Sequence, residues 1–221
     1  MLTKRTLRLG GYDTASRGWT LTGLELTEPA PVTNFVDVPG RVKGPLDLSL
    51  ALTGEPVYGP RDFFATLEIS SGNRDEREAK IMELTNKLHG RRVEIVTPDR
   101  PLYYAVGTLT VTKLFNNHAH GSVEITGVCE PWIYSAEEFS TQVQATTAKK
   151  TILLYNMGAM PVVPVLVVEG GNVKLTYNQA TISLAAGTYK WPKLYLTPGE
   201  HEVGYEGAGK VSISYREGVI R

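Results

Sequence analysis

The feature that most limits what this 221-residue chain can become is an apolar–polar alternation at every second position, in short runs cut apart by glycine and proline. Side chains two apart share one face of a strand, so each run offers one face to a core and the other to water. Residues 46–54 (LDLSLALTG) put Leu46, Leu48, Leu50 and Leu52 on a single face. The same texture follows in DFFATLEIS (62–70), RRVEIV (91–96), YYAVGTLTVTK (103–113) and SVEITGV (122–128). A second series begins at Thr151 with TILLYN, VVPVLVVEG, NVKLTYN, TISLAAGTY, KLYLTPGEHEV and KVSISYR. EGGN, TPGE and EGAG have turn chemistry and each is expected to join two alternating strands. VVPVLVV lacks polar alternation, which predicts cover on both faces, with Pro164 near its start or at an edge. The layout is that of an all-β protein.

One segment departs from period two. In NRDEREAKIMELTNKLHG (73–90), Asn73 and Glu76 supply both halves of a capping box, and Asp75, Glu76 and Glu78 suit the positive end of a helix dipole. Ile81, Leu84 and Leu88 recur at helical spacing, with Met82 and Thr85 beside them, and Gly90 supplies the stop. A single amphipathic helix over about residues 74–89 is predicted, with its charge run read as a solvated face.

Between the two series lies the polar stretch 136–150, AEEFSTQVQATTAKK, with room for one strand. The boundary therefore falls between residues 135 and 147, which gives an N-terminal domain of residues 1–137 and a C-terminal sandwich of residues 138–221.

Charge and cysteine content exclude several chemistries. Lys+Arg and Asp+Glu are both 23, a balance that argues against nucleic-acid binding as the main role. The lone Cys129 allows neither an internal disulfide nor a cysteine-based zinc site, and reads as a small buried thiol. No apolar run reaches signal-peptide or membrane-span length, so a soluble protein made in a cytoplasm is expected, without membrane insertion.

Chemical candidates are few. His118 and His120, in NNHAHG, could chelate from one strand face, but a zinc site needs three or four ligands. His89 at the helix end and His201 near a turn supply no obvious third. The pair reads instead as the tip of a hairpin with arms at 109–115 and 122–128. Glu137 with Glu138, and Glu200 with Glu202, are paired carboxylates of the kind glycosidases use, with nothing to suggest a pocket around them. No P-loop, nucleophile-elbow or zincin pattern occurs. Trp191, Tyr189, Tyr195 and Tyr205 lie in or beside strands, and Trp191 and Tyr195 are the candidate sugar-stacking residues.

Several landmarks, in order, resemble the distal tail protein family of long-tailed siphophages: VPGRVKGPLDLSLALTG (38–54), YGPRDFFATLEI (58–69), NKLHGRRVEIV (86–96), PLYYAVGTLTV (101–111) and CEPWIYS (129–135). In the second half, TILLYNMGAMPVVPVLVVEG (151–170) and YLTPGEHEVGYEGAGKVSISYREGVI (195–220) continue the resemblance. Residues 10–29 do not match it position by position. The resemblance implies a scaffold, not an enzyme, with neither cofactor nor metal. Its N-terminal domain would be a β-sandwich or split-barrel-like module that closes into a ring, usually six-fold. Its C-terminal domain would be a galectin-like or carbohydrate-module-like sandwich pointing outward. The ring would join the tail-tube protein to the tail-associated lysin, tip hub or receptor-binding proteins, in a virion assembled in the host bacterial cytoplasm. His118 and His120 would then be solvent-facing turn residues or contacts to a neighbouring subunit. The competing reading is a carbohydrate-binding module for host cell-wall or surface glycans, contacting them through Trp191 and Tyr195.

Overall fold

The structure, a computed structural model, describes residues 6–40, 43–51 and 54–221. It is all-β with one helix, and it divides into two compact units, one ending at Ile133 and taking in Arg221, the other spanning Tyr134–Ile220.

In the first unit the strands are β1 (Arg8–Leu9), β2 (Tyr12–Asp13), β3 (Thr20–Leu26), β4 (Phe35–Val36), β5 (Leu46–Asp47) and β6 (Arg61–Ile69). Helix α1 (Arg74–Leu88) follows, then β7 (Arg92–Val96), β8 (Tyr103–Asn116) and β9 (Gly121–Ser135). Seven strands lie in the order β2-β1-β7-β8-β9-β6-β3, while among the described residues β4 and β5 pair with each other. The alternation in β6 works as the sequence predicts: Phe63, Ala65, Leu67 and Ile69 are buried, and Asp62 and Phe64 face out. β6 pairs with β9 from Arg61↔Cys129 to Ile69↔Gly121. A slip of one residue would invert every side chain, so burial fixes this register.

The helix has the predicted caps. Asn73 Oδ1 accepts the Glu76 N–H at 2.9 Å, and Glu76 Oε2 accepts the Asn73 N–H at 3.1 Å. A side chain at Gly72 (φ +81°) would collide with the returning Glu76 carboxylate, which explains the glycine there. Ile81, Leu84 and Leu88 pack into a core with Trp19, Phe63, Leu67, Leu109, Val123 and Ile125. Each fully buried side chain of this kind stabilises by roughly 1.5–3 kcal/mol. The charge run is not wholly a solvated face, however: Arg77 is only 2% exposed, one turn before Ile81 on the buried stripe.

The strand expected over 46–54 is shorter than its pattern. Only Leu46 and Asp47 are in β5, after which Asp47 Oδ1 accepts the Ser49 N–H at 2.9 Å and turns the chain. Leu46 and Leu50 are exposed rather than gathered on a core face, and Leu52 lies outside the described residues. Local hydrogen bonding by Asp and Ser competes with the ladder wherever no second layer holds the strand flat.

The second unit contains β10 (Phe139–Ala145), β11 (Lys150–Asn156), β12 (Val165–Glu169), β13 (Val173–Tyr177) and β14 (Ala180–Leu184). It continues with β15 (Gly187–Lys190), β16 (Gly199–Gly207), β17 (Gly209–Tyr215) and β18 (Gly218–Val219). Two four-stranded antiparallel sheets, β10-β17-β12-β15 and β11-β16-β13-β14, share one core of Leu154, Leu175 and Val203 from one sheet with Leu166, Val168, Val211 and Ile213 from the other. EGGN and EGAG do join consecutive strands, but those strands belong to different sheets. TISLAAGTY is two strands, β14 and β15, that sit in different sheets. The tight hairpin is β13–β14, turned by Asn178 and Gln179 with φ of 44° and 65°. VVPVLVV also resolves into alternation, with Leu166 and Val168 buried and Val165 and Val167 half-buried.

Candidate assembly interface

Between β3 and β6 the described residues of 28–59 leave the first unit's core and return as an antiparallel arm. Its root is firmly held. Arg61, 1% exposed, donates from Nε to the Pro131 carbonyl (2.6 Å) and from a terminal nitrogen to the Thr27 carbonyl (3.0 Å). Burial lowers the Arg61 pKa, with the Arg100 charge acting the same way. Thr27 and Asp62 exchange hydrogen bonds across the root, and the Tyr58 ring stands edge-on to Trp132 at 5.5 Å. Further out, the Val32 N–H reaches the Val57 carbonyl at 2.7 Å, and β4 pairs with β5 through Phe35↔Asp47 and Val36↔Leu46.

The arm carries an apolar load that the described residues leave largely exposed. Val32, Phe35, Val36, Val38, Leu46 and Leu50 are between 36% and 57% exposed. A two-stranded ribbon is marginal alone in water, and exposed apolar side chains on one make it a candidate interaction surface. Arg41, which belongs to the Pro-Gly-Arg turn noted in the sequence, lies outside the described residues.

A second projection is the β8–β9 hairpin, closed by a hydrogen bond from the Asn117 N–H to the His120 carbonyl at 3.0 Å. Asn117 Oδ1 caps the loop by accepting the Ala119 and His120 N–H groups. The Arg77 guanidinium donates to the carbonyls of Gly72 (2.5 Å), Asn117 (2.7 Å) and His118 (3.2 Å) and to Asn116 Oδ1 (3.3 Å). Glu78 takes Lys113 Nζ at 2.6 Å and Asn116 Nδ2 at 2.9 Å, and these bonds, that from Lys113 first, hold its carboxyl below the usual range. The tip is thus the predicted hairpin, pinned to the start of the helix by a residue the sequence reading placed in solvent. His118 points its side chain into water, and His120 is half-buried, edge-on to Phe115 at 5.2 Å. Leu114 and Phe115 beside them are exposed.

His89 Nδ1 accepts the Val111 N–H at 3.2 Å, and His201 lies between the Tyr177 hydroxyl (2.7 Å) and the Thr197 carbonyl (2.6 Å). Among the described residues no three His, Cys, Asp or Glu side chains converge as metal ligands. Cys129 is buried, and burial pushes its thiol up to about 11. Of the paired carboxylates, Glu137 and Glu138 are exposed, and Glu200 accepts the Tyr155 hydroxyl at 2.5 Å while Glu202 stands opposite Leu153. The aromatics also divide. Trp191 is 6% exposed and belongs to the second core, Tyr189 and Tyr205 pack partly against it, and Tyr195 is 47% exposed. Of the two candidate sugar-stacking residues, Tyr195 is the exposed one. No described helix is long and apolar enough to cross a membrane.

No family model matches the sequence, and no curated protein matches it. A solved structure does match: that of SPP1 Dit (gp 19.1), a protein presented as a paradigm of the hub adsorption apparatus in phages that infect Gram-positive bacteria. The TM-score is 0.68 at 14% identity, over 97% of this chain and 99% of that chain. At that identity the likeness is one of fold, and it runs through nearly the full length of both chains.

Proposed function

We propose that this chain is a structural component of a phage tail tip, a ring-forming distal tail protein that joins the tail tube to the tip hub and host-recognition proteins. The observation that carries this reading is the end-to-end likeness of fold to a hub adsorption protein, spanning 97% of this chain. The arm supports it, because a closed ring needs two different complementary patches on each subunit. An apolar ribbon on a clamped root is one such patch. The zero net charge suits packing many copies with little self-repulsion. In this reading residues 1–137 make the ring and residues 138–221 form the outward sandwich. His118 and His120, with Leu114 and Phe115, contact a neighbour, the chain is no enzyme, and it resides in the virion.

Negative-stain images and sedimentation of the purified full chain test the reading. Closed rings, six-fold by expectation, are the predicted species. A strict monomer at every concentration, with no association with a tail-tube or hub protein, overturns it. The carbohydrate alternative rests on Tyr195. A calorimetric titration with host-wall polysaccharide in which Tyr195→Ala leaves the heat unchanged removes that alternative.

A further inference from the structure

The segment between β15 and β16 is held by alternate residues. Leu196, buried, exchanges backbone hydrogen bonds with Val162 at 2.8 and 2.9 Å. The carbonyls on either side of it, those of Tyr195 and Thr197, meet two side chains instead. His201 Nε2 lies 2.6 Å from the Thr197 carbonyl. The Tyr177 hydroxyl lies 2.7 Å from His201 Nδ1 and 3.2 Å from the Tyr195 carbonyl. Tyr177 is buried, while the Tyr195 ring is exposed.

This network is one proton short. A carbonyl only accepts, so Nε2 carries the proton of the neutral imidazole, and Nδ1 is then an acceptor. The Tyr177 hydroxyl faces two acceptors, Nδ1 and the Tyr195 carbonyl, with a single proton to give. Burial raises the Tyr177 pKa, against the Asn178 side chain bonded to it, so the hydroxyl keeps that proton near neutrality. With a neutral imidazole the shorter contact takes it, and the Tyr195 carbonyl loses this donor. With a second proton on His201, Nδ1–H donates to the Tyr177 oxygen, the hydroxyl turns to the Tyr195 carbonyl, and Nε2–H keeps Thr197. Every contact is then a hydrogen bond.

The surroundings allow that state. Glu200 and Glu202 flank His201 on β16, and Lys149, just ahead of β11, lines the same hollow of about 450 Å³. From β13 and from the segment itself, Tyr177, Asn178 and Thr197 face it, and none carries a charge. Two carboxylates against one ammonium do not oppose an imidazolium.

We propose that Tyr195–Thr197 is an acid-tightened latch: protonation of His201 completes a relay through Tyr177 to the Tyr195 carbonyl and ties the segment to β13. The exposed Tyr195 ring is then presented from a stiffer backbone at low pH than at high pH. The added bond is present while His201 holds two protons and is lost as pH rises through the histidine range. The latch lies within the second unit and does not depend on the assembly reading.

Amide hydrogen exchange of the full chain tests it, read at Leu196 and corrected for the intrinsic exchange rate at each pH. Protection at pH 5 is expected to exceed that at pH 8 by about five-fold, the worth of one added hydrogen bond. Tyr177→Phe removes the relay and keeps an aromatic in the core, while His201→Gln keeps a donor for Thr197 and cannot titrate. Both should abolish the pH dependence, with protection in β17 as the check on folding. The other histidines, His89, His118 and His120, lie in the first unit. Imidazole nitrogen chemical shifts of the wild type supply a reading that needs neither variant: the proton of His201 should sit on Nε2 at pH 8, and both nitrogens should be protonated at pH 5. Equal protection at the two pH values, a pH dependence that survives in either variant, or a neutral imidazole with its proton on Nδ1 overturns the proposal.

Discussion

Two antiparallel ribbons leave the sheet of the first unit, and their side chains meet opposite fates. The β8–β9 tip is satisfied from within: Arg77 holds three of the carbonyls around it, Glu78 ties Lys113 and Asn116, and Asn117 closes its own turn. The arm is held at its root, through Arg61, Thr27 and the Tyr58–Trp132 contact, while its described apolar residues beyond are exposed. The first ribbon spends its hydrogen-bonding groups on its own helix. The second offers apolar surface that stays exposed among the described residues. A projection of the first kind contributes to folding, and one of the second kind is the patch we propose for assembly.

The largest effect that would break this contrast is at Arg77. Arg77→Met leaves the Gly72, Asn117 and His118 carbonyls without their donor, and should cost about 3 kcal/mol at roughly 1 kcal/mol per bond. Urea unfolding of the full chain, read beside hydrogen exchange at residues 116–120, checks it; unchanged protection there means the tip is not pinned. Phe35→Asp with Val36→Asp should do the reverse. Its folding midpoint should stay within about 0.5 kcal/mol of wild type, as exposed sites do, while ring association falls by about ten-fold or more. A drop in stability as large as that of Arg77→Met would show that the arm packs on its own chain. The smallest effect is at Glu78. Its carboxyl is held low in the folded state by Lys113 and Asn116, so its contribution is present above the ordinary carboxylate range and lost as pH falls through and below it. Exchange protection of the tip should decline slightly on acidification below about pH 4, an effect absent in Glu78→Gln and absent from the arm.

Much of this architecture was legible locally. The Asn73–Glu76 capping box, the Ile81–Leu84–Leu88 stripe and the alternation of β6 follow from neighbours within a few residues, and all three stand in the structure. Arg77 was illegible because its acceptors lie about 40 residues away, and in the sequence it sits inside a run of charge. The leucines of 46–54 alternate as a strand should, but alternation reports that a face is apolar and not whether this chain covers it. In the second unit, the turns at EGGN and EGAG have hairpin composition yet pass between sheets, because the choice of partner strand belongs to the core and not to the turn. Trp191 shows the same limit: an aromatic beside a strand can be a platform or a core residue, and its 6% exposure makes it the latter.

The Arg77 clamp has a further consequence for how the hairpin is built. Its acceptors are backbone carbonyls on residues 117 and 118, fixed in space by how β8 and β9 are zipped together. A zip displaced by one residue would swing those carbonyls away and leave a buried cation with little beyond the Gly72 carbonyl. The guanidinium therefore finds its full set of acceptors only when the hairpin is correctly aligned. A long-range contact of this kind slows the search for the native state, and it makes misaligned intermediates easy to abandon.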